Sequence, residues 1–265
     1  MYYSRHGRPP RSVPMMHHFA TPILVPLLLV FVTVFAATGY LVLPTAYAAE
    51  GVTLLAALGA SLLRLIAAFA LALLAGIPLG LLAERSRRSE SILLPVFDVL
   101  ESMPVLAFFP VIILFFLRAG LLEGAAVFII FFSMVWSIAF SVVGGLKQVP
   151  RDVKAVGTIF GLTPWQRFRE ILLPALFPST LTGSILALAA GWNIVIVAEA
   201  LHAYAPHAGQ ARDLFGIGSI IVTASTTGQN TLLVSAMLLL VITIALVNLF
   251  IWQPLLARAE RFKFE

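Results

Sequence analysis

Residues Leu58–Ala83 read LGASLLRLIAAFALALLAGIPLGLLA, 26 residues broken by one charge, Arg64. A helix needs roughly 20 apolar residues to cross about 30 Å of hydrocarbon, so this stretch is long enough to span a bilayer. Five further runs of that kind lie at approximately Pro22–Leu43, Ile92–Leu117, Gly124–Val143, Ala175–Leu201 and Thr231–Ala257. They are continuous rather than alternating, which excludes a barrel, and lipid leaves no partner for the backbone of an open strand. Composition agrees: 60% of the 265 residues are hydrophobic and 11% charged, too few to coat a water-soluble core. The expected fold is an all-α membrane protein with six transmembrane helices and a helix–turn–helix loop on the cytoplasmic side.

The cations give the topology. Arg5, Arg8 and Arg11; Arg85, Arg87 and Arg88; Lys147, Arg151, Lys154, Arg167 and Arg169; and Arg258, Arg261 and Lys263 make 14 of the 17, all on one side of the predicted bundle. The opposite connections hold only Arg118 and Arg212. By the positive-inside rule both termini are cytoplasmic. The expected division is a tail at 1–21, a first transmembrane helix at 22–43, a five-helix core at 54–257 with its loop at 144–174, and a tail at 258–265. Ala46-Tyr47-Ala48 after a basic and apolar segment also resembles a signal-peptide cleavage site, but 22 residues exceed the usual 7–15 of such a segment. With no Cys, neither a disulfide nor a thiolate metal site is available. The cations fall in short runs between apolar stretches, so no nucleic-acid partner is expected.

One inner connection is built rather than slack. In Val149–Glu170, Gly161 can adopt positive φ and close a first short helix. Thr163 can cap a second, with Pro164 at its first position and Gln166 completing a capping box. A connection of roughly thirty residues that presents Phe160, Leu162, Trp165 and Phe168 calls for a cytoplasmic partner. An interfacial amphipathic helix, with its aromatics in the headgroups, is the other reading.

This loop resembles that of the binding-protein-dependent transporter permeases, whose EAA motif runs Glu-Ala-Ala, three residues, Gly, nine residues, Ile, any residue, Leu-Pro. Gly161, Ile171, Leu173 and Pro174 match at the required spacing, whereas Ala155-Val156-Gly157 stands in place of Glu-Ala-Ala. Ser61-Leu62-Leu63-Arg64, Gly76-Ile77-Pro78-Leu79-Gly80, Met103-Pro104-Val105-Leu106-Ala107 and the stretch from Trp192 to Glu199 extend the likeness to the nitrate/sulfonate/taurine type. Phe116–Gly120 departs from it. The resemblance implies a permease core in the cell inner membrane, a homodimer or a partner of a second permease, with two cytoplasmic ATPase subunits on the loop and an extracytoplasmic solute-binding protein. No cofactor would sit on this chain; ATP and magnesium would sit on the ATPase. The implied coupling residues are Ala155, Gly157, Phe160, Gly161, Leu162, Trp165, Ile171, Leu173 and Pro174. The implied substrate is a small oxyanion or organic sulfonate.

Polar groups inside spanning helices are costly and mark cavities or partners. Asp98 and Glu101 share a helix face near Arg85, Arg87 and Arg88, and either line an inner vestibule or form an ion pair between helices. Pro104 and Pro110 interrupt the same run, opening a kink whose freed carbonyls can line a passage or that merely aids packing, and Met103 and Pro104 join Glu101 as candidate translocation-pathway residues. Trp192 and Glu199 share a face of the fifth run with Asn193 beside them, a candidate translocation surface; interhelical bonding by Asn193 and an interfacial Glu199 beside His202 are the alternative. Arg64 reads as a snorkelling residue or as an anion contact. Leu214–Thr223 is apolar but too short to span, an outer gate helix or an interfacial turn. The chain has no Gly-Lys phosphate cradle and no His-Glu-x-x-His, so no catalytic residue or metal site is expected. An ion-coupled transporter or a membrane scaffold are the rival functions.

Overall fold

The structure is a computed structural model that describes residues 48–150, 153, 159–200 and 213–260. The expected first helix, Pro22–Leu43, and loop residues Ala155 and Gly157 lie outside them, as does most of each tail. No strand occurs among the described residues.

Helix α1 runs Ala48–Glu84, starting ten residues before the predicted run because Gly51–Ala57 is itself apolar and compatible with helix. The run predicted as one helix over Ile92–Leu117 is two: α2, Arg87–Ser102, and α3, Val105–Arg118, bent by 87°. The reason lies at Met103-Pro104. Proline lacks an N–H and pushes the residue before it out of the helical region, and Met103 has φ −67 and ψ 128. Ser86 caps α2 by accepting from Ser89 N–H at 3.1 Å.

Helix α4, Leu122–Gln148, is the buried axis of the bundle; Ile129, Ile130, Met134, Ile138, Ala139 and Val142 are all fully enclosed. Gly76 and Gly80 of α1 lie directly against it. A Cβ on Gly80 would come within 2.7 Å of Val142 Cβ, and one on Gly76 within 2.9 Å of Ile138 Cγ2. Lipid supplies no hydrophobic drive between helices, so close backbone approach through small residues is what gives such a contact its dispersion energy. Lys147 at the far end of α4 ties back to Glu90 of α2 at 2.5 Å.

Helix α5 begins at Pro164–Gln166, passes through a π-helical stretch, Arg167–Leu172, and continues as Leu173–Glu199. Helix α6 is Ile217–Thr227, and α7 runs Asn230–Val247, a second π-helical stretch Asn248–Trp252, then Gln253–Ala259. Each π stretch precedes a proline by two residues: Pro174 and Pro254. The ring of an internal proline clashes with the carbonyl four residues back, here Glu170 and Phe250. The wider turn relieves that clash, so neither helix breaks. Among the described residues, four helices are long and apolar enough to span a membrane, five if the bent α2–α3 pair counts as one.

Candidate functional site

At the outer end of the bundle, by the predicted topology, four elements meet on one guanidinium. Arg64 of α1 donates through Nε to Glu123 Oε2 at 2.6 Å and through Nη2 to Glu123 Oε1 at 2.9 Å, a bidentate pair with the first turn of α4. Its Nη1 donates to Glu199 Oε1 at 2.8 Å and to the Phe215 carbonyl at 3.0 Å. Arg64 is therefore not a snorkelling residue: its side chain is 8% exposed, and it is an internal ion-pair partner. Four of its five N–H donors are occupied, which leaves one for any incoming anion.

Glu199, the last residue of α5, is completely buried. Besides Arg64 it accepts from Ser61 Oγ at 2.9 Å and from Gly218 N–H at 2.8 Å, both on Oε2. Ile217 N–H donates to Ser61 Oγ at 2.9 Å. The N-terminus of α6 is thus capped by a hydroxyl and a carboxylate from two other helices, which suits the positive end of its dipole. A Cβ at Gly216 would run into the Glu199 carboxylate, and one at Gly218 would lie 2.5 Å from Ile196 Cα. Only glycine lets α6 seat there. The apolar segment Leu214–Thr223 accordingly leads into and begins a docked helix, Ile217–Thr227, and is not an interfacial turn; Glu199 is an internal anchor rather than an interfacial residue.

Other predicted positions separate. Trp192 is buried on the same side of α5 as Glu199, while Asn193 is exposed and donates to Ala189 O of its own helix at 3.0 Å. Glu101 and Asp98 are exposed at the end of α2, beside the bend at Met103 and Pro104. Among the described residues no ion pair joins either to Arg85, Arg87 or Arg88; the inter-element pair there is Lys147–Glu90.

The opposite end, inner by the predicted topology, carries the turn. Gly161 has φ +61, the left-handed conformation that glycine adopts without strain. Thr163 N–H donates to Gln166 Oε1 at 2.9 Å and Gln166 N–H to Thr163 Oγ1 at 3.3 Å, the two halves of a capping box. Phe160 is 74% and Trp165 67% exposed, with Trp165 against Phe168 at 5.8 Å between ring centroids. Leu162 and Ile171 are half-buried, Leu173 is exposed and Pro174 half-buried. The second loop helix is not separate, as sequence suggested; it is the first turn of α5. The span Arg167–Glu199 therefore joins the turn to the Arg64 cluster as one rod of 33 residues, about 50 Å at helical rise.

Sequence reading missed Glu123, Gly216 and Gly218 as site residues. An arginine inside an apolar run demands a counter-charge, and Glu123 opens the only α4 turn that could supply one from the same level.

These features define a polytopic helical membrane protein with an exposed, capped turn at one end of the bundle. The family model for the binding-protein-dependent transport system inner membrane component matches residues 76–259, and the chain belongs to that family. It is 30% identical over 157 residues to the nitrate import permease protein NrtB of Leptolyngbya laminosa, covering 59% of this chain and 50% of that protein. It is 32% identical over 110 residues to the bicarbonate transport system permease protein CmpB of Synechocystis sp., covering 42% and 38%. Over 112 residues it is 27% identical to the taurine transport system permease protein TauC of Escherichia coli, covering 42% and 40%. The matched stretch is half or less of each relative's length. A solved structure of the MetNI methionine ABC transporter in inward-facing conformations superposes with a TM-score of 0.62 over 82% of this chain and 99% of that one, at 19% identity, a likeness of fold.

Proposed function

We propose that this chain is the membrane-spanning permease subunit of an ATP-binding cassette importer for a small oxyanion or organic sulfonate. Two copies would form the pathway, two cytoplasmic ATPase subunits would dock on the loops, and an extracytoplasmic binding protein would deliver solute. The chain would lie in the cell inner membrane with both termini cytoplasmic, and ATP and magnesium would be bound by the ATPase alone. It would not be an enzyme by itself.

The observation that carries this reading is the turn at Gly161: a capped helix start whose largest apolar side chains, Phe160 and Trp165, are exposed, and which is fused to a membrane-spanning rod. A loop that merely joined two helices would not hold two aromatic side chains in that position. Gly161, Leu162, Ile171, Leu173 and Pro174 would shape the docking segment, and Ala155 and Gly157, which precede it in the sequence, would join them in coupling. Closure of the ATPase pair would push on Phe160 and Trp165. Because α5 is continuous, the displacement would reach Glu199 and shift the seat of α6. Trp192 and Glu199 act in this scheme as positioning residues, while exposed Asn193, Glu101 and Pro104, with half-buried Met103, are the groups available to line a pathway.

The test is solute uptake into proteoliposomes that hold the chain, its ATPase and its binding protein. Uptake of labelled nitrate, bicarbonate or taurine that needs ATP and all three proteins supports the proposal. Uptake by the chain alone, driven by an ion gradient, would make it an ion-coupled transporter instead.

A further inference from the structure

Helix α2 is tied to α4 at two levels. Near its start Glu90 pairs with Lys147, and both side chains are partly open to solvent, 33% and 48% exposed. Seven residues on, Phe97, the one buried residue of α2, lies 5.7 Å from Trp136 and 6.1 Å from Phe140 between ring centroids. Residue numbers rise along α2 while they fall along α4, so the two helices run antiparallel. With Glu90 beside Lys147, a residue-for-residue count sets Phe97 beside Phe140 and Leu100 beside Ser137, the neighbour of Trp136. Just past Leu100 comes the 87° bend at Met103-Pro104.

Two hydrogen-bonding groups at this level have no partner. Trp136 is 8% exposed, and among the described residues its Nε1–H finds no acceptor; Phe97 and Phe132 pack against its ring. A buried donor without an acceptor carries the full cost of its lost hydration. The carbonyl of Leu100 lacks its helical donor, because the residue four positions on is Pro104. Among the described residues no backbone N–H donates to it. Leu100 is half-buried and packs against the cluster that holds Trp136. A helical carbonyl points toward the C-terminal end of its helix, which here is the direction from Ser137 toward Trp136. An idle donor and an idle acceptor thus stand at one level of two facing helices. A proline hinge lies on one side of them and a solvent-screened ion pair on the other.

We propose that α2 is a hinged arm with two positions. In the observed one Lys147 holds Glu90 and the Trp136 N–H is free. In the other, α2 leans onto α4 about Met103-Pro104, and the Leu100 carbonyl accepts from Trp136 Nε1–H. Phe97 is the pivot, since contacts between rings tolerate a change of tilt. The arm exchanges a screened ion pair for a satisfied buried donor, so the two positions lie close in free energy. Glu101 and the Met103-Pro104 elbow move with it. That these groups line a solute pathway rests on the function proposed above; the existence of two positions does not.

The experiment is proton–nitrogen NMR of the full chain in nanodiscs, with its 4 tryptophans labelled at the indole nitrogen. Trp136→Phe identifies the Trp136 signal by its loss. An indole proton resonates downfield and exchanges slowly when it donates. The two positions therefore give two Trp136 signals, or one with microsecond-to-millisecond relaxation dispersion. Lys147→Ala frees the arm and raises the ratio of bonded to free Trp136 about two- to fivefold, the weight of an exposed ion pair. Pro104→Ala gives the Leu100 carbonyl a helical donor and removes the hinge, leaving a single free signal. Unchanged signals from Trp165, Trp192 and Trp252 show that each variant is folded. A Trp136 signal that is free and without dispersion in both wild type and Lys147→Ala overturns the proposal. A second signal that survives Pro104→Ala overturns it too, as does a Trp136 bonded in every variant, which a fixed bridging water would produce. No readout involves ATP or solute, so this arm and the transport assignment fail independently.

Discussion

Arg64 pairs with two carboxylates at nearly the same distance, 2.6 Å to Glu123 and 2.8 Å to Glu199, yet the two pairs should differ several-fold in energy. Burial decides. The Glu123 side chain is 64% exposed and water screens its charge, so Glu123→Ala is expected to cost no more than about 1 kcal/mol. Glu199 is fully enclosed, and Arg64→Ala strands that carboxylate with only Ser61 and Gly218 as donors; breaking a buried pair from one side costs about 3–5 kcal/mol. Glu199→Ala falls in the same range, because it also uncaps α6. The double variant Arg64→Ala/Glu199→Ala should be less destabilised than the sum of the singles, with a coupling of about 1–3 kcal/mol. Reversible unfolding in mixed detergent micelles, followed by circular dichroism, measures all four. Equal costs for Glu123→Ala and Glu199→Ala, or a loss below about 1 kcal/mol for Arg64→Ala, would refute the argument that burial rather than distance ranks the pairs.

Other consequences are simpler to check. Gly80→Val, whose Cβ would meet Val142, should cost about 1–3 kcal/mol through overpacking of α1 on α4, while Gly59→Ala, with open space around it, should change unfolding little. Thr163→Ala removes one arm of the capping box, worth about 1 kcal/mol, and hydrogen exchange at the start of α5 should speed up roughly fivefold. Phe160→Ala with Trp165→Ala should leave stability within about 0.5 kcal/mol, since both side chains are exposed. It should nonetheless abolish co-purification with the ATPase; retained co-purification would move the docking surface elsewhere.

The spanning helices were legible because lipid enforces a run length that few other structures need: α1, α4 and α7 each contain a predicted run, and α5 covers the run begun at Ala175 as far as Glu199. The turn was legible too: a left-handed glycine and a Thr–Gln capping box are local, and local rules need no tertiary knowledge. The bend at Met103-Pro104 was half legible, since proline announces an interruption but not its angle. Two readings failed for a common reason. Arg64 and Glu199 were each judged against lipid and water, while their true environment is each other, 135 positions apart in sequence. The same holds for Gly76 and Gly80. Their spacing stood out in the sequence, but that α4 fills the space before them depends on packing. The π-helical stretches had a local cause in Pro174 and Pro254, yet a proline inside a long apolar run does not say whether the helix will break, as at Pro104, or widen and continue.

The central claim is that the turn at Gly161 transmits ATPase work to the bundle. The direct measurement is ATP hydrolysis by the candidate ATPase reconstituted with wild-type chain or with Gly161→Pro, a substitution that forbids the observed φ of +61 and lies outside the membrane helices. The account predicts that the wild type binds the ATPase and changes its turnover, and that Gly161→Pro loses both while its membrane helices still unfold as in the wild type. An ATPase that responds equally to both proteins would contradict it.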